Sequence, residues 1–205
     1  MARKKDQGKR RGEIVDAMLT LIADRGARKV RYADVAELVG MTPGAVGYYF
    51  PTIDGLVLYA HNIAIERHHE GILRAASSYR DPRDRLIALI DHGVPTAPDP
   101  ILRVLADAVL TATISVPHAI LHTSSLHRYS ATIETVLEVG ADRGVFRPAV
   151  DIRQIARTTA HLINEVSFEP QLTFSQTGAD EARAIVIDYA AVATMSDLRA
   201  RMPLP

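Results

Sequence analysis

Apolar residues recur three and four positions apart almost throughout this chain, the period of amphipathic helices, and no stretch alternates convincingly as a strand does. Ile14, Met18, Leu21 and Ile22, with Val15 and Leu19 beside them, form a first stripe that stops at Gly26, a residue suited to cap a helix. Val35, Ala36, Leu38 and Val39 supply the buried side of a second helix. Thr42 then reads as an N-cap whose hydroxyl satisfies an orphan amide, and Pro43 occupies the first helical position, where its missing N–H is no loss. Between the two, Gly40 tolerates positive φ, so two short helices meet across a helix-turn-helix corner.

The three-helix head occupies residues 9–50, and no turn signal separates it from the body of the chain. Thr52 and Asp54 start a longer helix carrying Leu56, Tyr59, Ala60, Ile63 and Ala64, predicted to reach about Ser78. Asp81-Pro82 and Asp99-Pro100 are each a cap followed by a first-turn proline, and Pro95 and Pro98 break the chain before the second. Pro117 opens a helix to about Asp142, Asp151 caps one to about Phe168, and the last is predicted from Asp180 to about Arg201. Residues 144–148 form a loop and residues 171–178 a polar linker. The pattern predicts an all-α protein of nine helices, with domains at residues 1–53 and 54–205.

On the third helix Val46 and Phe50 are four apart and face a core, whereas Gly44, Ala45, Tyr48 and Tyr49 lie on other sides. Small residues near a helix N-terminus let the backbone approach base edges. A methyl such as that of Ala45 can meet a thymine methyl, and phenols donate to phosphate. A second reading makes Tyr48 and Tyr49 half-buried packing residues beside Phe50.

Charge favours the first reading. Residues 1–12 hold Arg3, Lys4, Lys5, Lys9, Arg10 and Arg11 against the one acid Asp6, a basic arm ahead of the first helix. Of 24 basic and 24 acidic residues, 10 and 6 lie in residues 1–50, leaving 14 and 18 for the rest. The net charge of zero therefore joins a segment of +4 to one of −4, the footprint of a nucleic-acid-binding end. A solvated tail is the other reading of residues 1–8.

A chain of 205 residues, 47% hydrophobic, has ample material for a core. The absence of cysteine excludes disulfides and thiol catalysis. The basic start lacks the apolar run of a signal peptide, and no run of about 18 apolar residues offers a membrane span, so a cytoplasmic location is expected. His118 with His122, or His161 with Glu165, stand at i, i+4, but neither pair completes a metal site and no HExxH pattern occurs; no metal or cofactor is expected. No glycine-rich phosphate loop, G-x-S-x-G elbow or compelling acid–base pair points to an enzyme.

Taken together, these features resemble the tetracycline-repressor (TetR) family of one-component bacterial regulators. The family pattern is an apolar first helix, a glycine, an Ile-Ala pair, Ala-Gly-Val-Ser, a short recognition helix, Tyr-x-x-Phe and Ser-Lys-Glu-x-Leu. Here it reads as residues 14–22, Gly26, Val35-Ala36, Val39-Gly40-Met41-Thr42, residues 43–50 and Thr52-Ile53-Asp54-Gly55-Leu56. The likeness covers about residues 11–58, with a weaker echo in residues 142–148 leading to Asp151. Three departures stand out. Gly47 replaces a frequent tyrosine, Ile53 replaces a lysine that commonly meets phosphate, and Arg31 replaces a hydroxyl cap and either meets a phosphate itself or stands alone on the surface.

The resemblance implies a ligand-responsive repressor, with Lys9, Arg10, Arg31, Thr42, Pro43, Gly44, Ala45, Tyr48 and Tyr49 toward an operator DNA duplex. It implies a homodimer through the last two helices, reading half-sites about 34–36 Å apart. In the last helix Ala184, Ile187, Ala191 and Met195 form the small apolar face expected to pack there, unless that face packs within its own subunit. A pocket for a small-molecule effector is implied between residues 80 and 170. His122 and Tyr129 share a helical face with Leu126, Ile133 and Leu137, and His92, Thr113, His161 and Asn164 are further polar residues in apolar helices. The alternative is a helical small-molecule-binding or enzymatic protein with a vestigial head.

Overall fold

The computed structural model describes residues 2–168 and 178–198, with side chains from residue 7 onward. Among the described residues there are nine α-helices and no strand: α1 (Ala2–Arg25), α2 (Tyr32–Val39), α3 (Pro43–Tyr49), α4 (Ile53–Ser77), α5 (Pro82–Gly93), α6 (Pro100–Ala112), α7 (Val116–Asp142), α8 (Ile152–Phe168) and α9 (Ala179–Ala193). A single 3-10 turn, Ala27–Lys29, links α1 to α2. No described helix is long and apolar enough to cross a membrane.

The capping residues act as their chemistry requires. Thr42 accepts the Ala45 amide at 3.2 Å, Thr52 the Gly55 amide at 3.1 Å, Asp81 the Arg83 amide at 2.8 Å and Asp151 the Gln154 amide at 3.1 Å. Gly26 and Gly40 both adopt positive φ, +80° and +64°, where a side chain is strained.

The chain divides into two compact units. The first, residues 1–67 and 100–122, is built on Ile14, Met18, Ile22, Val35, Val46, Phe50, Leu56, Ala60 and Val104, so the core under the head draws on α1 to α4 and on α6. The second, residues 68–99 and 123–205, packs α5, α7, α8 and α9 around Leu86, Leu89, Ile90, Ile133, Leu137, Phe146, Ile155, Ile163, Val186 and Ile187. Helices α4 and α7 each contribute to both.

Four expectations are corrected. The basic arm does not precede the first helix; α1 begins at Ala2 and carries it, since nothing before Gly26 interrupts the helical backbone. Leu38 is 55% exposed, because Val35 and Ala36 already fill the inward arc of a two-turn helix.

Helix α9 ends at Ala193, not Arg201, which lies outside the described residues. The amides of Arg147 and Ala149 take the carbonyls of Thr194 and Ala193 at 2.8 and 3.0 Å, Ser196 turns back onto the Ala191 carbonyl, and Met195 adopts a φ of 47°. The final carbonyls are thus occupied by the loop after α7. Lastly, Ile187 and Ala191 are buried within the chain's own core, while Ile185, Val192 and Met195 are exposed.

Candidate nucleic-acid interface

The corner between α2 and α3 is closed by main-chain geometry. With Gly40 left-handed, its amide reaches the Glu37 carbonyl at 3.3 Å and the Met41 amide reaches that of Ala36 at 2.9 Å, satisfying the end of α2. The capped α3 follows two residues later. Val46, fully buried, and Phe50 pin α3 to the core. The Tyr32 hydroxyl donates to the Phe50 carbonyl at 2.6 Å, and burial, with Asp54 adding to it, raises that phenol's pKa and keeps the donor protonated.

The outward surface of α3 is small and open. Thr42, Pro43 and Gly44 are exposed, Ala45 and Gly47 are half-buried, and a methyl built on Gly44 or Gly47 would meet nothing within 4 Å. The two tyrosines part company. Tyr48 is 74% exposed, whereas Tyr49 is half-buried against the head core, their rings edge to face at 5.5 Å. Tyr49 thus fits the packing reading and Tyr48 does not.

The candidate basic residues stand on α1 and at the N-terminus of α2. Lys9 and Arg10 share Glu13, at 4.0 and 2.7 Å, in exposed pairs of the kind that contribute only tenths of a kcal/mol, roughly 0.3–0.5. Arg31 is exposed, and its guanidinium donates to the carbonyls of Arg28 and Val30 at 3.0 and 3.1 Å. It cannot cap α2 with an acceptor it lacks. Asp34 does the reciprocal half, accepting the Arg31 amide at 2.7 Å, and this bond, with Arg25 beside it at 2.9 Å, holds the Asp34 carboxyl below the usual carboxylate range. Ile53 packs against the head core, which accounts for an apolar residue where the family pattern has a phosphate contact.

Arg11 carries no mark in the sequence beyond its charge, yet its guanidinium lies over the rings of Phe50 and Tyr59, 4.3 and 4.7 Å from their centroids. Its partners lie dozens of positions away, so no local signal singles it out.

The six residues expected at an effector pocket do not gather in one place. His92 and Tyr129 do, around a residue that the sequence pattern does not flag: the His68 ring stacks on His92 at 4.8 Å and meets Tyr129 edge-on at 6.4 Å. Burial, then His92 and His69, lower the His68 pKa to about 3, so its imidazole is neutral. Tyr129 is buried, donates to the Leu89 carbonyl at 2.7 Å, and has its pKa raised by burial and by Asp91. Gly71 permits this packing, since a Cβ there would run into the His92 ring. Asn164 is half-buried and His161 exposed on α8. His122 is half-buried on α7 in the first unit, and Thr113 lies past the end of α6, exposed, donating to the Leu110 carbonyl at 2.7 Å.

Comparison with known proteins bears on this head. Residues 14–60 match the family model described as bacterial regulatory proteins, tetR family. The HTH-type transcriptional regulator PksA of Bacillus subtilis is 28% identical over 96 residues, 47% of this chain and 47% of that protein. The match thus spans about half the length of that curated relative. A transcriptional regulator from Saccharomonospora viridis, solved in complex with choline, superposes with a TM-score of 0.80 at 22% identity, over 89% of this chain and 95% of that one. A TetR transcription regulator from Haloarcula marismortui superposes with a TM-score of 0.81 at 21% identity, over 91% and 98%. At these identities the two structures establish the fold.

Proposed function

We propose that this chain, a member of the tetR family of bacterial regulatory proteins, is a ligand-responsive repressor that grips a palindromic operator as a homodimer. The observation that carries the reading is α3 itself, capped at Thr42, pinned by Val46 and Phe50, and presenting Gly44, Ala45 and the exposed Tyr48 outward. Small residues let the helix approach base edges, and Tyr48, Lys9, Arg10 and Arg31 supply donors and charge for phosphates. Residues 1–53 carry the DNA contact and residues 54–205 the effector and dimer functions, in the cytoplasm and without enzymatic activity.

For the effector, His68, His92 and Tyr129, which gather in the second unit, are the polar groups a ligand would meet there, the His68 imidazole being neutral. An effector that prefers the DNA-incompetent arrangement of the two heads shifts the dimer off its operator, and a coupling of about 1–3 kcal/mol changes occupancy several-fold to a hundredfold. For the dimer, α9 offers Ile185 and Val192, with Met195 just beyond, as exposed apolar residues.

Selection of binding sites from randomised duplex DNA, with footprinting of the recovered duplexes, tests the core of this reading. A protected inverted repeat supports it. Recovery of no enriched sequence, from protein that is folded and dimeric by sedimentation, sinks it.

A further inference from the structure

We propose that His61, Asp107 and His118 form a one-proton site whose occupancy is passed to the head through the contact of Asp107 with the Ala27 amide. Only the consequence for DNA rests on the regulator reading; the proton site stands on geometry.

His61, on α4, is fully buried, and neither of its ring nitrogens has a hydrogen-bond partner. His118, on α7, is 7% exposed; its Nδ1 shares a hydrogen bond with the Ser115 hydroxyl at 2.8 Å, and its Nε2 has none. The two rings meet edge to face at 5.1 Å. Buried polar atoms are nearly always satisfied, so three unsatisfied imidazole nitrogens in one cluster call for an explanation.

Asp107, on α6, lies beside one of them. Its Oδ1 lies 3.2 Å from His61 Nε2, within ion-pair distance although not aligned as a hydrogen bond. The same carboxylate accepts the Ala27 amide, 3.3 Å from each oxygen, immediately after the left-handed Gly26 that ends α1. One carboxylate therefore serves two claimants, an imidazole on α4 and the joint between α1 and α2.

A proton on the histidine pair makes the claim of His61 charge-assisted, which shortens and strengthens it. A second proton is opposed by the first across the 5.1 Å between the rings, so the pair takes one. The charged and titratable groups facing His118 are His61, Asp107 and Asp54; burial first and then His61 lower its pKa, while the two carboxylates act the other way. Among the described residues no three His, Asp or Glu side chains are arranged to hold a metal ion. Drawn toward His61, Asp107 slackens on the Ala27 amide, and the α1–α2 joint loosens in acid.

The test tracks histidine-ring and amide resonances of the full chain by NMR from about pH 8 to about pH 5, the range in which histidine ordinarily titrates. Expected are one proton taken up between the two rings and an Ala27 amide signal that moves upfield with the same midpoint. Asp107→Asn, which keeps an acceptor for Ala27 but no charge, abolishes the amide shift; His61→Gln leaves any titration to His118 and uncouples it from the Ala27 amide. The proposal is overturned if Ala27 stays still while the rings titrate, if each ring takes its own proton or neither does, or if EDTA abolishes the transition and reveals a metal. The wild-type co-titration decides even if a variant fails to fold. With a duplex recovered by selection, affinity weakens several-fold at the acid end and becomes pH-independent in Asp107→Asn. If no duplex binds at any pH, the regulator reading fails while the NMR result still judges the proton site.

Discussion

Replacing Gly47 with alanine separates the contribution of the α3 surface to folding from its contribution to DNA binding. Gly47 lies inside a seven-residue helix, its φ is not left-handed, and an added methyl meets nothing within 4 Å. Packing therefore neither rewards nor penalises the change, and the helix-propensity difference remains. Glycine in a helix interior is about 0.8–1.0 kcal/mol less favourable than alanine, so Gly47→Ala is expected to raise stability by about 1 kcal/mol. For a chain of 205 residues that corresponds to roughly 2–4 °C in Tm. Urea unfolding monitored by circular dichroism measures it, as a rise in midpoint at constant slope. If α3 approaches the bases as proposed, the same methyl intrudes there, and operator affinity is expected to fall while stability rises. A fall in stability would refute the helix-interior argument, and an affinity equal to wild type would remove Gly47 from the DNA-facing surface.

The two tyrosines are expected to diverge. Tyr48→Phe leaves the urea midpoint within about 0.5 kcal/mol of wild type, as surface changes do, and weakens operator binding, whereas Tyr49→Ala lowers stability through lost packing; equal effects in both assays would contradict their different burial. Gly140→Ala drives a methyl into the ring of buried Phe146, an overpacking expected to destabilise by about 1–3 kcal/mol or more, read by the same unfolding curve. Acid stability tests His68. Its pKa is lowered from 6.5 to about 3 on folding, so between those values the unfolded chain binds the extra proton and stability falls as pH falls. His68→Phe is expected to flatten that acid limb, and an unchanged limb would overturn the lowered pKa of the half-buried His68.

Local chemistry made the helices legible. Caps at Thr42, Thr52, Asp81 and Asp151 and the left-handed glycines at 26 and 40 act within a few residues of themselves, so their signals survive in the linear chain. The inward pair of α3 was legible for the same reason, since Val46 and Phe50 stand one turn apart. Termini set from a distance were not. The C-terminus of α9 is decided by amides from the loop after α7, and the arc that α2 buries is decided by its neighbours, which is why Leu38 is outside.

The sites show the same division. Periodicity placed Tyr129 inward but had no means of pairing it with His68 and His92, whose approach depends on Gly71, three residues after His68 on α4. The split between Tyr48 and Tyr49, adjacent in the chain and alike in chemistry, and the meeting of His61, Asp107 and His118 from three helices belong to tertiary structure alone. By itself the sequence determined which segments are helical and which end carries the charge, because propensity, capping and net charge are local or additive. Only the packed fold decided which side chains share a site, because burial and contact depend on residues that the chain keeps far apart.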